Sequence, residues 1–224
     1  MQANCKLGST HPGFASSVPD SQVSLNGTIP DSPSAMLTFI TEFLKHPSSV
    51  GAVAPSSRFL ARTILAAADL KNCHVIVEFG PGTGAFTKYL CQQLRPDQRY
   101  IGIELNTTFA RLLRQEFPTL TFVHDSVENL QAISAEHQLG SIDAIICGLP
   151  WASLPLRVQD NAFRAMSQLM HDHSVFCTFA YLQGLVLPGA LALRARLRKE
   201  FRSVTYSRIV WCNFPPAFVY ICRR

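Results

Sequence analysis

The residues best equipped for chemistry stand at the ends of five apolar runs. "VEFGPGTGAFT" carries Glu78 and then Gly80, Gly82 and Gly84, directly after the run "HVIVEF". Glycine lets a backbone approach a ligand closely, and a helix expected to begin at Ala85 would aim free N–H groups at the same place. "RYIGIEL" brings Glu104 about 20 residues further on, the spacing of an acid that holds ribose hydroxyls. "LTFVHDS" closes on Asp125 and Ser126, an acid and a hydroxyl able to address an adenine amine. "IDAIICGLPW" closes on Gly148, Leu149, Pro150 and Trp151, a rigid proline and a large indole where strand passes into loop, and "SVFCTFAY" closes on Tyr181.

The glycines alone leave the ligand open, because Gly80-x-Gly82-x-x-Ala85 also satisfies a relaxed dinucleotide fingerprint. Three features favour S-adenosylmethionine. Glu78, two residues ahead of the first glycine, would meet a cationic methionine amine, whereas beside a pyrophosphate it would be repulsive by about 1 kcal/mol or more if partly buried. Asp125 and Ser126 suit an adenine edge. A β-rich ending after a basic helix fits a class I methyltransferase better than a hydride-transfer enzyme. The plainer alternative is that Glu78 and Asp125 only cap strand ends.

The elements that must position these residues alternate. After the helix of "SSRFLARTILAAADL", with its N-cap at Ser56 or Ser57, strand-like and helix-like runs follow one another from "HVIVEF" to the basic helix "GALALRARLRKEF". Two closing β-rich runs, "SVTYSRIVW" and "AFVYICRR", are joined by "CNFPP". The expected fold is α/β: a Rossmann-like doubly wound sheet of about seven strands with a C-terminal antiparallel β-hairpin. Residues 1–33, rich in Ser, Pro, Gly and Asn, read as a disordered N-terminal tail, 34–70 as N-terminal helices forming a lid, and 71–224 as the core. In "SAMLTFITEFLKHP" apolar residues recur at helical spacing up to Pro47, so that helix could lie on a bilayer or close the site.

Composition narrows the setting. The chain has 224 residues, 47% hydrophobic, enough for one good core. From Arg194 to the end it carries eight basic residues against one acid, which suggests an anionic partner or a solvated helix face. Seven cysteines with no C-x-x-C pair argue against a disulfide framework and a zinc site, and no metal is expected. No apolar run reaches the roughly 18 residues of a membrane span, and the N-terminus lacks a signal-peptide core. The expectation is a cytoplasmic protein with room for peripheral contact with an anionic membrane.

"EFGPGTGAFT", "GIELN", "HDSVENL" and "CGLPW" occur in the order and spacing of class I S-adenosylmethionine-dependent methyltransferases. With "FLKHPSSVGAVAPSSRFLAR", "TFAY" and "NFPPAFVY", the chain from Phe39 to Arg224 resembles the bacterial phospholipid N-methyltransferases that act on phosphatidylethanolamine, and more distantly the ribosomal RNA adenine dimethyltransferases. The resemblance implies S-adenosyl-L-methionine as cofactor. It implies that Glu78, Gly80, Gly82, Thr83 and Gly84 cradle the methionine part, Glu104 and Leu105 the ribose, and Asp125 and Ser126 the adenine edge. Gly148 and Leu149 would border the sulfonium, and the turn Val53-Ala54-Pro55-Ser56 would cover the cofactor.

The acceptor is open to several readings. In the adenine family's Asn-Leu-Pro-Tyr motif an Asn side chain holds the amine hydrogens, and here that position is Gly148. An aliphatic amine needs less, and Trp151 with Tyr181, beside Gly148, Leu149 and Pro150, would wall it as positive charge grows. The leading expectation is N-methylation of a phospholipid headgroup amine such as phosphatidylethanolamine. Alternatives are an RNA adenine N6-methyltransferase, a methyltransferase for a small secondary metabolite, and a cofactor-binding protein without turnover; nucleic acid is disfavoured by Gly148. His124 is a candidate base, though a His at a strand end is more often structural.

Overall fold

The computed structural model describes residues 56–151 and 154–224. The 1–33 tail, the helix expected over residues 34–45 and the turn at residues 53–55 lie outside the described residues. Helix α1 (Arg58–Ala68) begins at Ser57, whose extended backbone and Oγ, accepting from the Leu60 N–H at 3.3 Å, make it the N-cap. Leu60, Ala61, Ile64, Leu65 and Ala68 are buried, spaced to form one apolar stripe.

Strand β1 (Val75–Phe79) leads into the glycine loop. The helix expected from Ala85 is corrected here: only Thr87–Leu90 (α2) is α-helical, with turns on both sides, and Gly84 enters it at a φ of 77°. The loop backbone, rather than the end of a long helix, is what can face a ligand. Then come β2 (Arg99–Glu104), α3 (Thr107–Glu116), β3 (Thr121–His124) and α4 (Leu130–Glu136). They are followed by β4 (Ile142–Cys147), α5 (Leu156–Leu169), β5 (Met170–Tyr181), α6 (Pro188–Glu200), β6 (Ser203–Tyr206) and β7 (Ala217–Arg223).

The seven strands form one sheet in the order β3-β2-β1-β4-β5-β7-β6. Strands β1 to β5 are parallel, and β7 runs antiparallel between β5 and β6, so the doubly wound sheet and its closing hairpin are both present. From β1 the chain moves outward to β2 and β3, then returns to place β4 on the other side. Such a reversal opens a crevice at the carboxyl ends of the strands. Along β1 the side chains alternate: Val75, Val77 and Phe79 join the core under α4, α5 and α6, while Ile76 joins the core under α1, α2 and α3. Glu78 follows Ile76 onto that second face.

The connection from β6 to β7 is held firmly. Val210 and Ala217 form a bridge, and the Asn213 side chain, 2% exposed, accepts from the Ser57 N–H at 2.9 Å and donates to the Pro215 carbonyl at 2.7 Å. The "NFPP" stretch, whose Phe214–Pro215 bond is cis, thus clamps the start of α1 to the hairpin. Asn213→Ala leaves both backbone groups without their partner. We expect a loss of about 1–3 kcal/mol, read as a lowered thermal midpoint.

Candidate active site

Glu78 is completely buried beneath the glycine loop. Its Oε2 accepts from the Tyr100 hydroxyl at 2.6 Å and the Thr87 hydroxyl at 2.9 Å, while Oε1 is buried with no partner among the described residues. Burial pushes its carboxyl up to about 7, against the two hydroxyl hydrogen bonds that pull it down; the nearby Glu104 charge adds to the rise. Tyr100 reaches this carboxylate because Gly102 lies beside it: a Cβ there would sit 2.8 Å from the Tyr100 hydroxyl and 2.7 Å from the Phe122 ring. Burial and the Glu78 charge push the Tyr100 phenol well above its ordinary range.

At the end of β2, Glu104 is 3% exposed. Its two oxygens accept from the Gly82 N–H at 2.9 Å and the Asn106 N–H at 2.8 Å, so it holds the glycine loop and the start of α3 together. Burial raises its carboxyl, with the backbone N–H groups opposing. Asp125 is half-buried and accepts from the Ser126 N–H at 2.6 Å and the Asn129 amide at 2.8 Å. Ser126 caps the turn that follows, its Oγ 3.3 Å from the Glu128 N–H. Gly80, Glu104, Leu105, Asp125, Ser126 and Leu149 line one cleft. His124 does not: its Nε2 lies 3.0 Å from both Thr107 Oγ1 and the Leu105 carbonyl, a structural tie, and no base is identified.

Thr83 and Gly84 also stand apart from this cleft. Thr83 lines a hollow against α3 with Gly82, and a Cβ on Gly84 would meet the Phe117 ring at 2.9 Å, so Gly84 serves packing on α3. Gly80 and Gly148 bring β1 and β4 together. Gly148 donates to the Phe79 carbonyl at 2.8 Å, and a Cβ on Gly148 would stand 2.8 Å from the Gly80 carbonyl oxygen. A Cβ on Gly80, which adopts a φ of 63°, would run into the Leu149 side chain at 2.2 Å. Leu149 and Leu154 line the same narrow cleft.

Trp151 requires a correction. Instead of walling an acceptor it is 1% exposed inside the core, stacked on Phe79 at 6.4 Å and edge-on to Phe163 at 5.1 Å. The backbone through Leu149 and Pro150 carries the indole back under β1 and onto α5. Its Nε1 has no acceptor among the described residues. Trp151→Ala should therefore cost about 3–5 kcal/mol of stability, and Trp151→Phe little, in chemical denaturation. Tyr181, by contrast, is half-buried where it was expected, its phenol raised by burial. It packs edge-on against Phe179 at 5.4 Å, which packs edge-on against Phe86 at 5.8 Å. The Phe86 ring lies 3.7 Å from where a Gly148 Cβ would be. An aromatic line thus runs from Gly148 to the end of β5. The sequence reading missed Phe86 and Phe179, although Phe179 and Tyr181, two apart on a strand, had to share a face.

This geometry fits S-adenosylmethionine in two respects. The orphaned Glu78 oxygen lacks a donor that an ammonium group can supply, and Glu104 stands at a cleft with Asp125 beside it. Residues 76–173 match the family model described as methyltransferase domain. The ornithine lipid N-methyltransferase of Singulisphaera acidiphila is 31% identical over 188 residues, 83% of this chain and 94% of that protein. Among solved structures, the TehB-like methyltransferase of Corynebacterium glutamicum matches 86% of this chain and 100% of its own, at 15% identity and a TM-score of 0.53. An O-methyltransferase of Bacillus cereus matches 88% of this chain and 93% of its own, at 11% identity and a TM-score of 0.60; both likenesses concern the fold. With its glycine loop, its acid-ended strands and a relative that it matches nearly end to end, the chain belongs to the class I S-adenosylmethionine-dependent methyltransferases, in the family of that lipid N-methyltransferase.

Proposed function

We propose that this enzyme N-methylates an aliphatic amine on the headgroup of a polar lipid, of the kind found in ornithine lipids and phosphatidylethanolamine. The observation that carries the reading is Gly148. With the Gly80 carbonyl oxygen 2.8 Å from its would-be Cβ, this backbone admits no side chain there, and so no amide to hold an adenine amine. An alkylamine needs no such acceptor, and the relative named above acts on an aminolipid.

Bound S-adenosylmethionine supplies an electrophilic methyl on a sulfonium. In this reading Glu78 Oε1 receives the methionine ammonium, Glu104 the ribose hydroxyls, and Asp125 with Ser126 the adenine edge. Gly148 puts no side chain between the acceptor amine and the methyl group. Phe86, Phe179 and Tyr181 exclude water and present ring faces to the positive charge that develops on the amine nitrogen. Transfer is an in-line displacement, so the chain contributes position and dryness. Among the described residues no base is identified at the site, and in this reading the amine sheds its proton to solvent before reaction.

Incubating the enzyme with methyl-labelled cofactor and a total cell extract tests this. Label is expected in the organic phase. Label confined to RNA or to aqueous metabolites would overturn the lipid reading.

A further inference from the structure

Apolar exposure is concentrated on one rim. Of the ten large apolar side chains exposed among the described residues, six come from the segment after β5 and the loop before β7: Val186, Leu187, Leu191, Ile209, Trp211 and Phe214. Trp211 and Phe214 are 69% and 72% exposed, far beyond what scattered surface aromatics need. The two segments touch, since the Leu182 N–H donates to the Pro216 carbonyl at 3.0 Å and Tyr181 pairs with Ala217. Phe59 joins them at the start of α1, which Asn213 ties to the same loop. This is the end of β5 parallel to the ends of β1 and β4, so the rim borders the aromatic line that starts at Gly148.

We propose that this rim docks the enzyme on an anionic lipid bilayer, with Trp211 and Phe214 entering the interface; the inference deepens the lipid-amine reading and rests on it for the choice of partner. Charge supports a bilayer. Stretches 56–68, 174–199 and 201–224 contain no Asp or Glu, and Arg58, Arg62, Arg194 and Arg208 stand exposed on them. Arginines meet anionic headgroups while an indole settles at the boundary of the hydrocarbon. The Asn213 hydrogen bonds hold the loop already shaped, so little order has to be gained on docking. Seated this way, the site mouth faces the headgroups, and an aminolipid amine need not leave the membrane to reach Gly148.

The full chain has two tryptophans, and with Trp151 buried in the core a change in emission on docking reports on Trp211. On vesicles of phosphatidylcholine with phosphatidylglycerol, the emission should shift to the blue, and Trp211→Phe should abolish the shift while retaining binding. Trp211→Ser with Phe214→Ser should weaken co-flotation by about tenfold or more. Cofactor affinity and turnover on a dispersed short-chain aminolipid should stay unchanged in this variant, showing that it folds. Equal flotation of the double variant and the wild type overturns the docking surface. So does wild-type self-association that the double variant loses, without vesicle binding by either: the rim then pairs two copies. Activity on dispersed aminolipid with no vesicle binding overturns the docking alone, and vesicle binding without lipid methylation overturns the acceptor reading alone.

Discussion

Glu104→Ala should abolish S-adenosylmethionine binding in a calorimeter, a loss of at least about a hundredfold, while the protein still folds. The carboxylate is nearly sealed from solvent and spends both oxygens on backbone N–H groups, those of Gly82 and Asn106. Truncation leaves two donors without their acceptor, frees the glycine loop from β2, and removes the acceptor proposed for the ribose hydroxyls. Two or three charge-assisted hydrogen bonds, each contributing about 1.5–3 kcal/mol, exceed the 2.7 kcal/mol or so of a hundredfold loss. Stability falls by about 1–3 kcal/mol, because two partly buried N–H groups lose their acceptor. Glu104→Gln, which keeps an oxygen for one of the two donors, should fall between. Affinity unchanged in Glu104→Ala would show that the residue only braces the loop.

Glu78 produces the second large effect, and it depends on pH. Its folded carboxyl titrates near 7, above its ordinary 4.5, because burial penalises the charge. Between those values the folded protein holds a proton that the unfolded chain has released, so without cofactor stability falls as pH rises from about 4.5 to 7. An ammonium against Oε1 favours the ionised form and reverses the preference. Cofactor binding should therefore tighten as pH rises toward 7 and level off above it. At pH 6 binding should release a proton, seen as a dependence of the measured heat on buffer ionisation enthalpy. Glu78→Gln should remove that proton release, weaken binding at pH 8 by about tenfold or more, and stabilise the free protein at that pH. Proton release that persists in Glu78→Gln would assign the linkage elsewhere, with Glu104, raised in the same direction, as the next group to test.

The strand ends were legible because the signals there are local. Apolar runs stop at Glu78, Glu104, Asp125 and Gly148, and one parallel sheet brings such ends to one crevice. The doubly wound sheet of about seven strands followed from the alternation of elements, and the terminal hairpin from the two closing β-rich runs. The glycine loop was read less well: three glycines look alike in sequence, yet Gly80 makes room for Leu149, Gly82 donates to Glu104, and Gly84 packs on Phe117. Trp151 was misplaced because nothing within "GLPW" says whether the chain turns its indole outward or back under the sheet. That depends on Phe79, Phe163 and Phe176, distant in sequence. Gly102 was a readable signal passed over, since a glycine inside a strand marks close approach, here of the Tyr100 hydroxyl that holds Glu78. Asn213 could not be read, because its partner Ser57 lies at the other end of the described chain.

The identity of the methylated atom decides the enzyme's activity most directly. Purified enzyme, S-adenosylmethionine and vesicles carrying phosphatidylethanolamine or an ornithine lipid should yield, by mass spectrometry, headgroups methylated on the amine nitrogen. The same lipids with that amine acetylated should yield none. Methylation of the acetylated lipids, or methyl transfer to RNA adenine while both free aminolipids remain unmodified, would contradict it.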